Sequence, residues 1–430
     1  MGEEKADPAQ QRPPELCPEL CIVGGGPAGL FAGLLFARAG VPTVVLEKHR
    51  DFLRDFRGDT VHPSTLRLLH ELGLLDRFLQ RPHNRVHHIK AYVGDRLIEV
   101  ADFSHFDPRW NFTALMPQWH FLDFIADEAR RYPHFRLLMQ AEATGLVRER
   151  GRVAGIVYRE GGEQRQIAAQ LVIAADGRSS RLRDEAQLPL RTLGAPMDVF
   201  WFRVPKRPTA QNETAGIFTR GRIMALLDRG DYWQCAYVFP KGQADEVRTR
   251  GLDAFRRDVA QRAPMLAADI AVVASWNDVK LLSVALDRLD RWHEPGLLVI
   301  GDAAHAMSPI GGVGINVAIQ DAVATANLLA APLAMGKGVD RLLHEVRARR
   351  MLQVGAVQAF QKAAQNRIIT PLLDGSAPVT APLPLRLLAR FALLRRIPAA
   401  FLGFGIRPEH IRSPSIRPSY GVSPACRSPS

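Results

Sequence analysis

The chain has 430 residues, more than one hydrophobic core ordinarily supports, and its 47% hydrophobic and 23% charged content is that of a globular protein. The formal charge of +12 comes largely from arginines scattered along the whole chain, and no basic run interleaved with aromatics is present to form a nucleic-acid groove. The four cysteines, Cys17, Cys21, Cys235 and Cys426, have neither metal-ligand spacing nor a disulfide framework, and no window of about 18 uninterrupted apolar residues suggests a spanning helix.

Residues 1–17 are polar and proline-containing, lack the basic start and apolar middle of a signal peptide, and read as a disordered leader. A cytoplasmic location is expected. Residues 19–24 are a short apolar run ending in glycine, the pattern of a buried parallel strand. A helix is predicted from Pro27 to Arg38, then a β-branched strand from Thr43 to Glu47, which completes a βαβ unit. Leu66, Leu69, Leu72, Leu75 and Phe78 fall at helical spacing and predict one surface helix over 63–79. Residues 86–105 alternate as strands, and 118–131 form an amphipathic helix. Short strands joined by turns occupy 140–175 and end in the apolar run Leu171–Ala175. The aromatic-rich segment 196–240 predicts an antiparallel sheet. The run Leu297–Ile300 leads through a glycine-rich loop into a long helix. From Pro371 onward proline-rich turns alternate with short basic apolar helices, and the Ser-, Pro- and Arg-rich end reads as a disordered tail.

The predicted fold class is α/β. A discontinuous dinucleotide-binding domain is expected from 18–85, 111–190 and 286–335. A mostly antiparallel β-sheet substrate domain is inserted at 86–110 and 191–285. A helical C-terminal region spans 336–414, and the tail 415–430.

Gly24, Gly26 and Gly29 occupy the G-x-G-x-x-G positions directly after the first strand. The first permits a tight turn, the second lets a pyrophosphate approach the backbone, and the third lets helix and strand pack closely. Phosphates then meet the unpaired N–H groups of a helix N-terminus. Glu47 ends the next strand about 20 residues on, where a carboxylate accepts from ribose hydroxyls and repels a 2′-phosphate, favouring FAD or NAD over NADP at this site.

Two further motifs choose FAD. Gly301-Asp302-Ala303-Ala304-His305 follows the apolar strand and continues through Pro309, Gly311, Gly312, Gly314 and Asn316. Asp176-Gly177-Arg178-Ser179-Ser180-Arg181-Leu182-Arg183 has the pattern D-G-x-x-S-x-x-R after its own strand. With the first loop, these runs resemble the FAD-dependent aromatic hydroxylases, the group A flavoprotein monooxygenases related to para-hydroxybenzoate hydroxylase. The resemblance covers roughly residues 19–335.

It implies a glutathione-reductase-like FAD domain. Asp302 would accept from the ribityl chain, Pro309 to Asn316 would wrap the isoalloxazine ring, and Asp176 and Gly177 would lie near the pyrophosphate. By the same resemblance Arg57 would contact FAD phosphates or the ring, and Gln118 would bond the ribityl chain. It implies NADPH or NADH as a transient reductant and O2 as co-substrate, with an aromatic or polyketide-like molecule hydroxylated or epoxidised through a flavin C4a-hydroperoxide. The catalytic group stays open. Pro309 and His305 are placed near the ring, and Tyr232, Gln234 and Phe218 are pocket candidates, with Phe200, Trp201 and Trp233 as further aromatics. His62 also flanks a flavin motif.

One alternative on the same scaffold is a dehydrogenase or reductase acting on a prenyl-lipid without oxygen transfer. A halogenase lacks support, since no Trp-x-Trp-x-Ile-Pro run occurs. The basic apolar stretch 385–396 allows two readings: a weak membrane contact, or a helix packed on the core with its arginines outward.

Overall fold

A computed structural model of the chain describes residues 19–53, 60–94, 96–207, 214–375 and 381–416. The predicted leader, Cys17, Cys426 and Arg57 lie outside the described residues, as does the tail beyond residue 416. Ile416 is described, and its N–H donates to the Arg38 carbonyl at 2.8 Å.

The apolar runs that end in motif residues pair with one another. Leu20–Val23, Thr43–Glu47, Phe135–Met139, Leu171–Ala174 and Leu297–Val299 form the parallel part of a six-stranded sheet, with His293–Glu294 added antiparallel at one edge. In register, Val23 lies beside Ala174, and Ala174 beside Val299. All three motif-bearing loops therefore leave the same, carboxyl-terminal edge of one sheet, where ligands bind in open parallel sheets. The helices Pro27–Arg38 and Gly314–Ala334 pack together, and most of their residues are buried. The helix over 310–334 is long and apolar enough to cross a bilayer, but 72% of its most apolar window is inside the fold, so it is a core helix.

A second sheet has seven strands in the order Lys280–Ser283, Met197–Pro205, Tyr232–Pro240, Arg222–Asp228, Ala215–Thr219, His88–Val93 and Arg96–Asp102. Every join is antiparallel except that between Ala215–Thr219 and His88–Val93. Its two faces carry different cores. Phe200, Phe202, Trp233, Tyr237 and Phe239 pack on one side with Phe255 and Val259 of the helix Leu252–Arg262. Val199, Trp201, Phe218, Ile223, Ala236 and Val238 pack on the other with Ile310, Ile369 and Leu372. Strand alternation makes this division.

The helix predicted over 63–79 is two helices, Pro63–Glu71 and Leu75–Phe78. Gly73 at φ +70 ends the first, its N–H donating to the His70 carbonyl; apolar spacing continues across the break because both pieces face the same core. Near the C-terminus the helix Leu383–Arg390 lies against the strand Arg96–Asp102 with Leu385 and Leu388 partly buried, while Leu383 and Leu387 stay exposed.

Candidate functional site

The glycine loop is built by close backbone approach. Gly24 has φ +106, and a Cβ there would lie 2.3 Å from the Ala175 carbonyl oxygen, one residue before Asp176. A Cβ on Gly29 would lie 1.9 Å from the Gly24 carbonyl oxygen, so only glycine closes this strand–helix corner. Gly26 differs: a Cβ there meets nothing within 4 Å. It is the N-cap of Pro27–Arg38 and opens the helix toward free space, the form of a phosphate cradle.

Glu47 is buried and anchored to that loop. Its Oε2 accepts from the Gly25 N–H at 3.0 Å, and its Oε1 accepts from the His49 N–H at 2.9 Å and approaches His49 Nδ1 at 2.5 Å.

Asp176 and Gly177 follow the central strand. Asp176 Oδ2 accepts from the Arg181 N–H at 3.0 Å, while Oδ1 is buried without a hydrogen bond of normal geometry. Burial raises the Asp176 carboxyl above its ordinary value despite the bonds from Ser180 and the nearby backbone. Ser180 caps the short helix Arg181–Glu185 by accepting from the Arg183 N–H. Arg183 donates to the carbonyls of Arg178 (3.1 Å) and Ala303 (3.4 Å), and Arg178 reaches Asp302 at 3.5 Å. The second motif is thus clasped to the third, and both touch the first: a Cβ on Gly301 would lie 3.0 Å from the Ala28 Cβ.

The third motif is held from beneath by a buried charge chain. Asp321 Oδ2 accepts from the Gly301 N–H at 3.1 Å and lies 2.5 Å from His305 Nε2; Asp321 Oδ1 accepts from Arg350 Nε at 2.8 Å. Arg350 is 3.8 Å from Glu409, which also takes a bidentate pair from Arg349. Burial opposes charge on Asp321, but His305 and Arg350 outweigh it and hold the carboxyl below its ordinary value. His305 is 1% exposed and stacks near Trp292. The contact of its Nε2 with Asp321 fixes the loop from below. Asp302 points the other way and keeps 35% of its side chain exposed.

The loop's far end is tied to residues 60–65. Asn316 Oδ1 accepts from the His62 N–H (3.0 Å) and Thr65 Oγ1 (2.7 Å), and Thr60 Oγ1 donates to the Gly312 carbonyl at 2.8 Å. Gly314 begins the helix Gly314–Ala334, and Pro309 precedes the short turn 310–312. Gln118 opens its helix and is buried.

The pocket candidates separate by face. Phe218 and Trp201 share the sheet face that packs on Ile310 of the glycine-rich loop, whereas Phe200 and Trp233 point into the opposite core. Alternation from Ala236 and Val238 puts Gln234 and Tyr232 on the Ile310 side as well. They lie toward the strand's start, where Gln234 accepts from Arg229 Nε at 2.9 Å and Arg203 covers the Tyr232 ring at 5.2 Å. Sequence reasoning missed a feature of this face. One row across five strands runs Trp201, Ala236, Ala225, Gly216 and Ala91, an indole followed only by small residues. The Trp201 Nε1 is buried without a hydrogen-bond partner.

A family model described as an FAD binding domain matches residues 18–361. A 6-methylpretetramide 4-monooxygenase of Streptomyces rimosus is 32% identical over 386 residues, 88% of this chain and 91% of that protein. The tetracenomycin A2 monooxygenase-dioxygenase of Streptomyces glaucescens is 26% identical over 385 residues, 79% of this chain and 66% of that protein. Among solved structures, PqsL of Pseudomonas aeruginosa in complex with 2-aminobenzoylacetate superposes with a TM-score of 0.71 at 23% identity, covering 84% of this chain and 97% of that one; this likeness concerns the fold. The chain belongs to the FAD-binding-domain family that the match describes, and it is an FAD-dependent monooxygenase.

Proposed function

We propose that the protein hydroxylates a flat, multi-ring aromatic molecule of polyketide type, using NADPH or NADH and O2. FAD, when bound, accepts a hydride from the nicotinamide and activates oxygen, so one oxygen atom enters the substrate and the other leaves as water.

The residues present suit that cofactor. Gly26 and the N-terminus of Pro27–Arg38 would take the pyrophosphate, Glu47 a ribose hydroxyl, and Asp302 with Gln118 the ribityl chain. Asp176 and Gly177 would stand beside the pyrophosphate. Pro309 through Gly314 would border the ring, with Asn316 holding that loop to Thr60 and Thr65. The start of the helix Gly314–Ala334 would favour negative charge on a reduced ring. Asp321 and His305 position Gly301 and hence Asp302, acting through the loop and not on the reacting atoms.

One observation carries the substrate reading: Ile310 of the third motif packs on the sheet face whose row is Trp201, Ala236, Ala225, Gly216 and Ala91. The small side chains keep this face shallow, and the Phe218 ring lies over Gly216, where an added Cβ would come within 2.9 Å of it. A planar substrate would border the Phe218 and Trp201 rings, with the Trp201 Nε1 as a donor to its oxygen. The names of the Streptomyces relatives agree with such a substrate class.

The test is turnover of tricyclic and tetracyclic phenols with NADPH under 18O2. One labelled oxygen per product, with one NADPH consumed, is expected for the wild type, and none for Asp302→Ala, which should purify without flavin. A product that is desaturated or reduced and carries no label would refute the hydroxylase reading in favour of a dehydrogenase or reductase.

A further inference from the structure

The C-terminal segment after residue 381 carries an apolar surface that the fold leaves uncovered. Leu383 is 66% exposed, Leu387 42%, Phe391 52%, Leu393 71% and Ile397 67%. Leu383 and Leu387 lie one turn apart on the helix Leu383–Arg390, and Phe391 follows at its end with its N–H on the Leu387 carbonyl. Such a run of large exposed apolar side chains marks an interaction surface.

Its charge names the partner. Residues 381–403 contain Arg386, Arg390, Arg395 and Arg396 and no Asp or Glu. Arg395 is committed to the fold, donating to Glu99 at 3.0 Å and to the Leu388 carbonyl at 3.0 Å, which holds the segment against the strand Arg96–Asp102. Arg386, Arg390 and Arg396 are exposed alongside the leucines. A second copy of this chain would bring like charges together on the same apolar patch, in a protein whose formal charge is already +12. An anionic lipid surface meets both requirements, taking the apolar side chains at the headgroup boundary and the guanidinium groups at its phosphates.

We propose that residues 383–397, the helix Leu383–Arg390 and the turn that follows it, dock the protein on anionic membrane surfaces by lying at the interface and not by spanning it. The helix has eight residues, too short to cross a bilayer. The inference is independent of the substrate and of the flavin site.

The experiment is co-sedimentation of the full chain with vesicles of phosphatidylcholine and phosphatidylglycerol, and with phosphatidylcholine alone. Binding to the anionic vesicles is expected, weakened by added salt. The double substitution Leu387→Glu, Phe391→Glu should lower the bound fraction at least about tenfold, and neutralising Arg386, Arg390 and Arg396 to Gln should lower it on anionic vesicles. These side chains are exposed, so the variants should melt like the wild type, with Leu393→Glu as an independent replacement. Absence of wild-type binding, or equal binding by wild type and variants, overturns the proposal. So does light scattering that shows a dimer converted to a monomer by the double substitution without vesicle binding, since the face would then pair copies of the chain.

Discussion

Arg350 Nε donates to Asp321 Oδ1 at 2.8 Å, and neither side chain has any exposed surface. Asp321 sits on the core helix Gly314–Ala334 and uses its other oxygen to hold Gly301 and His305, so the loop that presents Asp302 rests on a buried ion pair.

Removing that carboxylate should strand Arg350. Asp321→Ala is expected to cost about 3–5 kcal/mol of stability, because it leaves a buried charge without its partner. Asp321→Asn keeps the shape and should cost less. Urea unfolding measures both, and the flavin content of the purified protein reads the loop separately; a loss of stability with full flavin occupancy would detach Asp321 from the role given to it here.

The glycine loop offers a paired test. Gly29→Ala puts a Cβ 1.9 Å from a backbone oxygen and should destabilise the fold by about 2–3 kcal/mol. Gly26→Ala meets nothing within 4 Å and should change stability by less than about 1 kcal/mol, while sharply reducing flavin retention. Melting curves and flavin absorbance of the two variants, side by side, distinguish a corner that only packs from one that also admits a pyrophosphate.

Trp201 and Trp233 stand on opposite faces of the same sheet, so their truncations should differ in kind. Trp233→Ala opens a cavity in an enclosed core, costing about 3–5 kcal/mol. Trp201→Ala should raise KM for the aromatic substrate about tenfold with a smaller change in kcat. An unchanged KM would remove Trp201 from the pocket.

His62 gives a pH signature. Burial pushes its imidazole down to about 4 although the Gly312 and Leu402 backbone favours the charged form. The folded state holds it neutral while the unfolded chain protonates near the ordinary value, so its contribution is fully present above about pH 6.5 and is lost as pH falls toward 4. The loss should reach about 2–3 kcal/mol at pH 4.5. His62→Gln should remove that slope; urea titrations at pH 7 and pH 4.5 compare wild type and variant.

The sequence by itself determined the three motifs and the strands that precede them. Gly24, Gly29 and Gly301 answer to local backbone geometry, and runs such as Leu20–Val23 and Leu171–Ala174 are buried on both faces, so composition alone marks them. It could not say what holds those motifs together. His305 and Asp321 are 16 residues apart, Arg350 is another 29 away, and the Glu409 that completes the chain of charges comes from the far C-terminus; each reads as an ordinary polar residue until packing removes water around it. Strand alternation was visible in 196–240, but which parity faced the glycine-rich loop depended on Ile310 and the helix Leu252–Arg262 each covering one face. The segment 383–397 has the same basic, apolar pattern whether it packs inward or faces outward. Only the tertiary structure decided that: among the described residues nothing covers Leu383 and Leu387, while Leu385 and Leu388 on the inner side are partly buried.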